Sequence, residues 1–132
     1  GNNNVYPQAL KTVFSNCVIY GSLENEISFN NYQDPPTNLT DFDNTFSYSL
    51  LKGKSDTVAL FAATNTQNLF NQDPFFKQPD ECNFTPSDSA GYFSPAIDYS
   101  PNGLSKDLWD NPRPVSKTAN TNKYDIGAVE VQ

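Results

Sequence analysis

Apolar residues along the chain come in short bursts separated by turn-forming residues. Val13 to Tyr20, Glu26 to Phe29, Phe46 to Lys52, Thr57 to Phe61, Asn68 to Phe70 and Ile126 to Val131 are each bounded by Gly, Asn, Asp, Ser or Pro, which is the pattern of short β-strands. Helical periodicity does not survive the density of Pro, Asn and Asp. The best helical candidate is a short turn from Ser105 to Trp109. The pattern predicts an all-β chain.

Two of these bursts repeat. Phe14-Ser15-Asn16-Cys17-Val18-Ile19-Tyr20-Gly21 can be laid over Phe46-Ser47-Tyr48-Ser49-Leu50-Leu51-Lys52-Gly53 at an offset of 32 residues. A weaker third echo begins Asn68-Leu69-Phe70. Repeats of this length with one strand each suggest a solenoid, in which equivalent strands stack about 4.8 Å apart and like residues lie on like. The repeat therefore favours a parallel β-helix, with Phe14 over Phe46, Val18 over Leu50, and Gly21 and Gly53 turning corners at positive φ.

Composition narrows the function classes. At 132 residues and 14.7 kDa the chain has the size of one domain with one core. An aromatic fraction of 14% argues against disorder. Eight Lys and Arg against fifteen Asp and Glu give a net charge of −7. With Arg113 as the lone arginine there is no basic footprint for nucleic acid or an anionic membrane surface. No stretch approaches the roughly 18 apolar residues of a membrane helix, so no membrane insertion is expected. His 0 removes the usual general base and the commonest metal ligand. The Gly1-Asn2-Asn3-Asn4 start and the lack of Met read as a tag remnant on a fragment or processed product. Two readings stay open for Cys17 and Cys82: unpaired core thiols or one disulfide. Neither cysteine has a histidine to activate it as a nucleophile.

From Asp73 onward, Asp73-Pro74-Phe75-Phe76, Cys82-Asn83-Phe84-Thr85-Pro86, Ser94-Pro95-Ala96-Ile97-Asp98, Asp107-Leu108, Asn111-Pro112-Arg113 and Asp125-Ile126-Gly127-Ala128-Val129-Glu130 occur in order. This series resembles the C-terminal end of right-handed parallel β-helix proteins secreted or displayed by bacteria, with their SPAID, NPR and DIGAxE segments. Here Asp110 stands before Asn111, and Tyr99-Ser100-Pro101-Asn102-Gly103 follows the SPAID segment, where the family usually has glycine. The resemblance implies a pectate-lyase-like solenoid in one domain of residues 1–132. Rungs would occupy about 5–78 and a loop-rich cap about 79–132. It also implies an extracellular or cell-surface location. Some relatives on this fold are polysaccharide lyases or glycosidases, but no catalytic motif carries over.

The cap residues can be given physical roles. Ala96 and Ile97 are expected to insert into the open end of the coil while Asp98 caps backbone amides. Arg113, between two prolines, can pair bidentately with Asp98, Asp125 or Glu130. Other chemistry is less specific. Asp34, Asp41, Asp43, Asp107 and Asp110 offer carboxylates for glycoside hydrolysis, but no spacing selects a pair. Lys52 and Lys54 flank a rung end and read as edge lysines that discourage strand pairing. Asp41-Phe42-Asp43-Asn44 places hard oxygens close together, so Asp41 and Asp43 are the candidate calcium ligands, although the order of an EF-hand loop is missing. Trp109, Tyr99 and Tyr92 are the candidate platform for a sugar ring. The sequence thus predicts a non-catalytic structural and binding segment that contacts a polysaccharide or glycan, with a lyase or glycosidase fragment as the alternative. An open rung edge would also permit self-association.

Overall fold

The computed structural model describes residues 10–27, 42–54, 67–119 and 123–132. The protein is all-β. Its strands are β1 (Leu10–Ser15), β2 (Val18–Ile19), β3 (Phe42–Ser47), β4 (Leu50–Leu51), β5 (Leu69–Phe70), β6 (Phe76–Gln78) and β7 (Asn83–Pro86). A 3-10 turn, Pro79–Glu81, joins the last two. β1 pairs with β3, and β2, β4 and β5 form a second sheet in that order, with every one of these pairings parallel. β6 and β7 make an antiparallel hairpin.

The parallel registers are those of the repeat. Phe14 sits opposite Phe46, Ser15 opposite Ser47, Val18 opposite Leu50 and Ile19 opposite Leu51. Leu69 and Phe70 extend the series below Leu50 and Leu51. Like residues then stack: the Phe14 and Phe46 rings lie 4.7 Å apart with planes 10° from parallel, and the Ser15 and Ser47 hydroxyls bond at 2.7 Å.

Each of the two longest bursts is broken into two strands by one residue in the left-handed region. Asn16 (φ 55°) separates β1 from β2, and Tyr48 (φ 49°) separates β3 from β4. Gln67 (φ 73°) holds the equivalent place before β5. The residue after each corner knits the stacked strands together. Cys17 N–H donates to Ser49 Oγ at 3.2 Å, Ser49 N–H donates to Asn68 Oδ1 at 2.9 Å, and Asn68 Nδ2 donates to the Phe46 carbonyl at 2.9 Å. Gly21 and Gly53 do not take the expected conformation, since the described glycines at positive φ are Gly91 and Gly127. Gly21 instead makes room: a Cβ there would lie 2.5 Å from Glu26 Oε1, the oxygen that accepts the Leu23 N–H.

Adjacent residues of a strand face opposite ways, and β4 is buried on both faces. Leu51 packs with Phe46, Ile27, Phe14, Ile19 and Phe70. Leu50 packs with Ala96 and Ile126, flanked by Val18, Leu69, Tyr20 and Tyr99. The C-terminal segment therefore covers the side of the β2–β4–β5 sheet, and Ala96 does not plug the end of a coil. A two-sided strand needs no polar alternation, hence the paired leucines.

Other expectations fail locally. Ile126 to Val131 is not a strand, and Ser105 to Trp109 is not helical. Asp107 bends that segment back instead, with Oδ1 accepting the N–H groups of Trp109 and Asn111, both at 2.9 Å. Glu26 and Ile27 lie outside any strand. Thr57 to Phe61 falls outside the described residues.

Candidate functional site

Two features stand out, a buried ionic cluster and an apolar groove, and the C-terminal segment builds both. In the cluster, Arg113 Nε meets Glu130 Oε2 at 2.7 Å, with side chains 5% and 0% exposed. The guanidinium also donates to the carbonyls of Asp125 (2.6 Å) and Gly127 (3.4 Å). Glu130 accepts N–H groups from Val115 at 2.8 Å and Asp125 at 3.2 Å. Asp125 accepts from Asp98 N–H and Val131 N–H, both at 2.8 Å. Asp98 Oδ2 accepts the N–H groups of Lys117 (2.8 Å) and Thr118 (2.5 Å). Irregular backbone thus finds its partners in carboxylates where no strand ladder exists to supply them.

Three carboxylates share this interior with one guanidinium. Burial pushes the Asp125 carboxyl up to about 6, with the charges of Glu130 and Asp98 adding to the effect and the Val131 and Asp98 N–H groups opposing it. Asp98 Oδ1 is buried without a hydrogen-bond partner. Arg113 pairs with Glu130, one of the three partners open to it from sequence. Asp107 adjoins the cluster by accepting the Glu130 N–H at 3.4 Å: burial raises its carboxyl, yet hydrogen bonds from Asn111, Glu130 and Trp109 hold it below the usual range.

The groove has a volume of about 1060 Å³, at the upper end for a ligand site. One wall is the β1–β2 corner from Ser15 to Val18, with Tyr20. Phe76, Cys82 and Phe84 of the β6–β7 hairpin, Leu104 and Lys106 to Trp109 of a later turn, and Ile126 to Val129 complete the lining. Leu104, Leu108, Trp109 and Phe84 are 78%, 70%, 58% and 55% exposed. Its cations are already engaged, Lys106 with Asp110 at 2.7 Å and Arg113 with Glu130, so the lining offers no unpaired positive side chain.

The structure separates the residues of the expected aromatic platform. Trp109 lines the groove. Tyr99 is half-buried beside Leu50, and Tyr92 is exposed with its ring edge-on to Phe75 at 6.0 Å. Lys52 donates to the Gly21 carbonyl at 2.6 Å and lies over the Tyr20 ring. Lys54 pairs with Glu24 at 3.2 Å. Asp41, like Asp34, lies outside the described residues. Asp43 stands in β3 with Lys11 as its register partner. Among the described residues no three His, Cys, Asp or Glu side chains gather as a metal site requires.

Both cysteines are free, and both line the groove. Cys17 is half-buried, its thiol raised by burial against a hydrogen bond to the Ser15 carbonyl. Cys82 is exposed and is not a core thiol, because it ends the 3-10 turn at φ 58°. The groove itself was not foreseen. Its signal in the sequence is Leu104, Leu108 and Trp109, three large apolar residues in a segment too rich in turn formers to bury them.

No family model matches the chain, and no curated protein or solved structure gives a match.

Proposed function

We propose that this chain is a non-catalytic structural and binding segment of an extracellular bacterial protein. It would supply the last rungs and the cap of a right-handed parallel β-helix and contact carbohydrate through Trp109. The observation that carries the reading is the 32-residue parallel register, with Phe14 stacked on Phe46. Right-handed crossovers are the rule between parallel strands of one sheet, and the stacked left-handed corners at Asn16, Tyr48 and Gln67 suit a coil that turns at the same point in each rung. The carboxylates of Asp98, Asp107, Asp125 and Glu130 are engaged with backbone amides, which supports a structural use for them. An exposed indole beside a groove suits the apolar face of a sugar ring.

A glycan array probed with the purified chain, with and without millimolar calcium, tests the binding half. Saturable binding lost in Trp109→Ala is the expected result. Absence of binding in both conditions removes the carbohydrate contact. Cleavage of any bound polysaccharide would establish the enzyme alternative instead.

A further inference from the structure

We propose that the outer edge of β2, within the groove, docks an extended and uncharged apolar peptide as an added strand of the β2–β4–β5 sheet. The inference goes beyond the carbohydrate contact at Trp109 and does not rest on it.

The backbone makes the first argument. Leu50 N–H donates to the Cys17 carbonyl and Lys52 N–H to the Ile19 carbonyl, so residues 17 and 19 spend these carbonyls on β4. The alternation of a parallel ladder then turns the N–H and C=O of Val18 and Tyr20 the other way. Among the described residues β2 is the edge of its sheet, and no backbone partner meets these groups. They repeat at about 6.6 Å, twice the rise of a strand. The C-terminal segment already makes one bond of this kind at the same edge, where Gly127 N–H donates to the Asn16 carbonyl at 2.9 Å. An incoming strand would continue from that point.

The groove makes the second. Val18 and Tyr20 line it together with Phe84, Leu104, Leu108 and Trp109, so side chains on the inserted strand would meet apolar surface. Exposed apolar surface gathered around one cleft marks an interaction site. Lys106 pairs with Asp110 and Arg113 with Glu130, and Asp107 spends both carboxylate oxygens on N–H groups of Trp109, Asn111 and Glu130, so a charged segment finds no free partner of opposite charge in the lining. A sugar or an acyl chain could fill the volume, but neither supplies N–H and C=O groups at strand spacing. A peptide does, in the mode of strand addition.

Trp109 is the chain's single tryptophan, so its emission reports occupancy. The probe is an acetylated, amidated hexapeptide of alternating valine and threonine, titrated against the intact chain and compared with the same peptide N-methylated at alternate amides. The expected result is a saturable blue shift, with the N-methylated peptide about tenfold weaker for the ladder bonds it lacks. Val18→Pro, which deletes one outward N–H, should weaken the unmodified peptide similarly. If that variant does not fold, the N-methyl comparison still decides. Equal binding of both peptides would reduce the effect to apolar adsorption and overturn the proposal. So would the lack of a saturable shift, or a concentration-dependent dimer in sedimentation that the peptide fails to dissociate, since a second copy would then hold the edge.

Discussion

Arg113 and Glu130 meet at 2.7 Å with almost no access to solvent, and the same glutamate receives the N–H groups of Val115 and Asp125. The pair joins the turn around residue 113 to the end of the chain. Its value lies less in net attraction than in the cost of leaving either charge alone.

Arg113→Met should therefore destabilise the protein by about 3–5 kcal/mol, because it strands the Glu130 charge. Arg113→Met combined with Glu130→Leu should cost clearly less than the sum of the two single changes. Urea unfolding of the wild type and the three variants measures this. Strict additivity would mean that the two side chains are not energetically coupled.

Stability should fall as pH rises across the interval between the ordinary carboxyl value of 3.8 and about 6. In that window native Asp125 holds a proton that the unfolded chain has released, so the native state binds more protons and alkalinity disfavours it. The contribution is fully present below the lower value and gone above the upper one. Asp125→Asn should flatten this dependence. Unfolding midpoints at closely spaced pH values across the window would show it, and an unchanged slope in the variant would assign the effect elsewhere.

Tyr48 takes a left-handed backbone conformation at φ 49°, which asparagine tolerates and a β-branched residue resists. Tyr48→Asn should be more stable than Tyr48→Val by about 1–2 kcal/mol. Thermal unfolding of the two variants compares them directly. Equal midpoints would show that the corner relaxes to another conformation.

Thiol chemistry should be biphasic. Cys82 is exposed, whereas Cys17 is half-buried with its thiol raised, and only the thiolate reacts. An aromatic disulfide reagent at pH 8 should titrate Cys82 quickly and Cys17 slowly. Cys82→Ser should delete the fast phase and leave the slow one.

How much of this could be read from the chain varies from element to element. The register was legible because Phe14, Ser15 and Val18 have counterparts at Phe46, Ser47 and Leu50, and stacked parallel strands put counterparts in contact. The corners were misplaced. Glycine is the cheapest residue at positive φ, so Gly21 and Gly53 drew the prediction. Asn16 and Tyr48 adopt that conformation instead, held by the hydrogen bonds of the residues that follow them. The charged residues that gather in the cluster were identifiable as Asp98, Arg113, Asp125 and Glu130, but their pairing depends on irregular backbone that no periodicity encodes. The side-on placement of Ala96 and Ile126 was hidden for a related reason. Leu50 and Leu51 read as one apolar run, and only three dimensions show that they serve different neighbours. The groove depends on a hairpin and a turn, distant in sequence, lining one cavity, an arrangement without a local signature.

The two-sided burial of β4 has a consequence for the order in which the fold can assemble. The Leu51 side is covered by neighbours from the paired strands and the segment between them, whereas the Leu50 side is covered by Ala96 and Ile126, which lie far along the chain. Contacts between residues so distant in sequence must first meet the entropy of closing a long loop. Until they form, the sheet presents its Leu50 side to water and is most open to adventitious pairing. Ala96 and Ile126 therefore act as the closing step of folding.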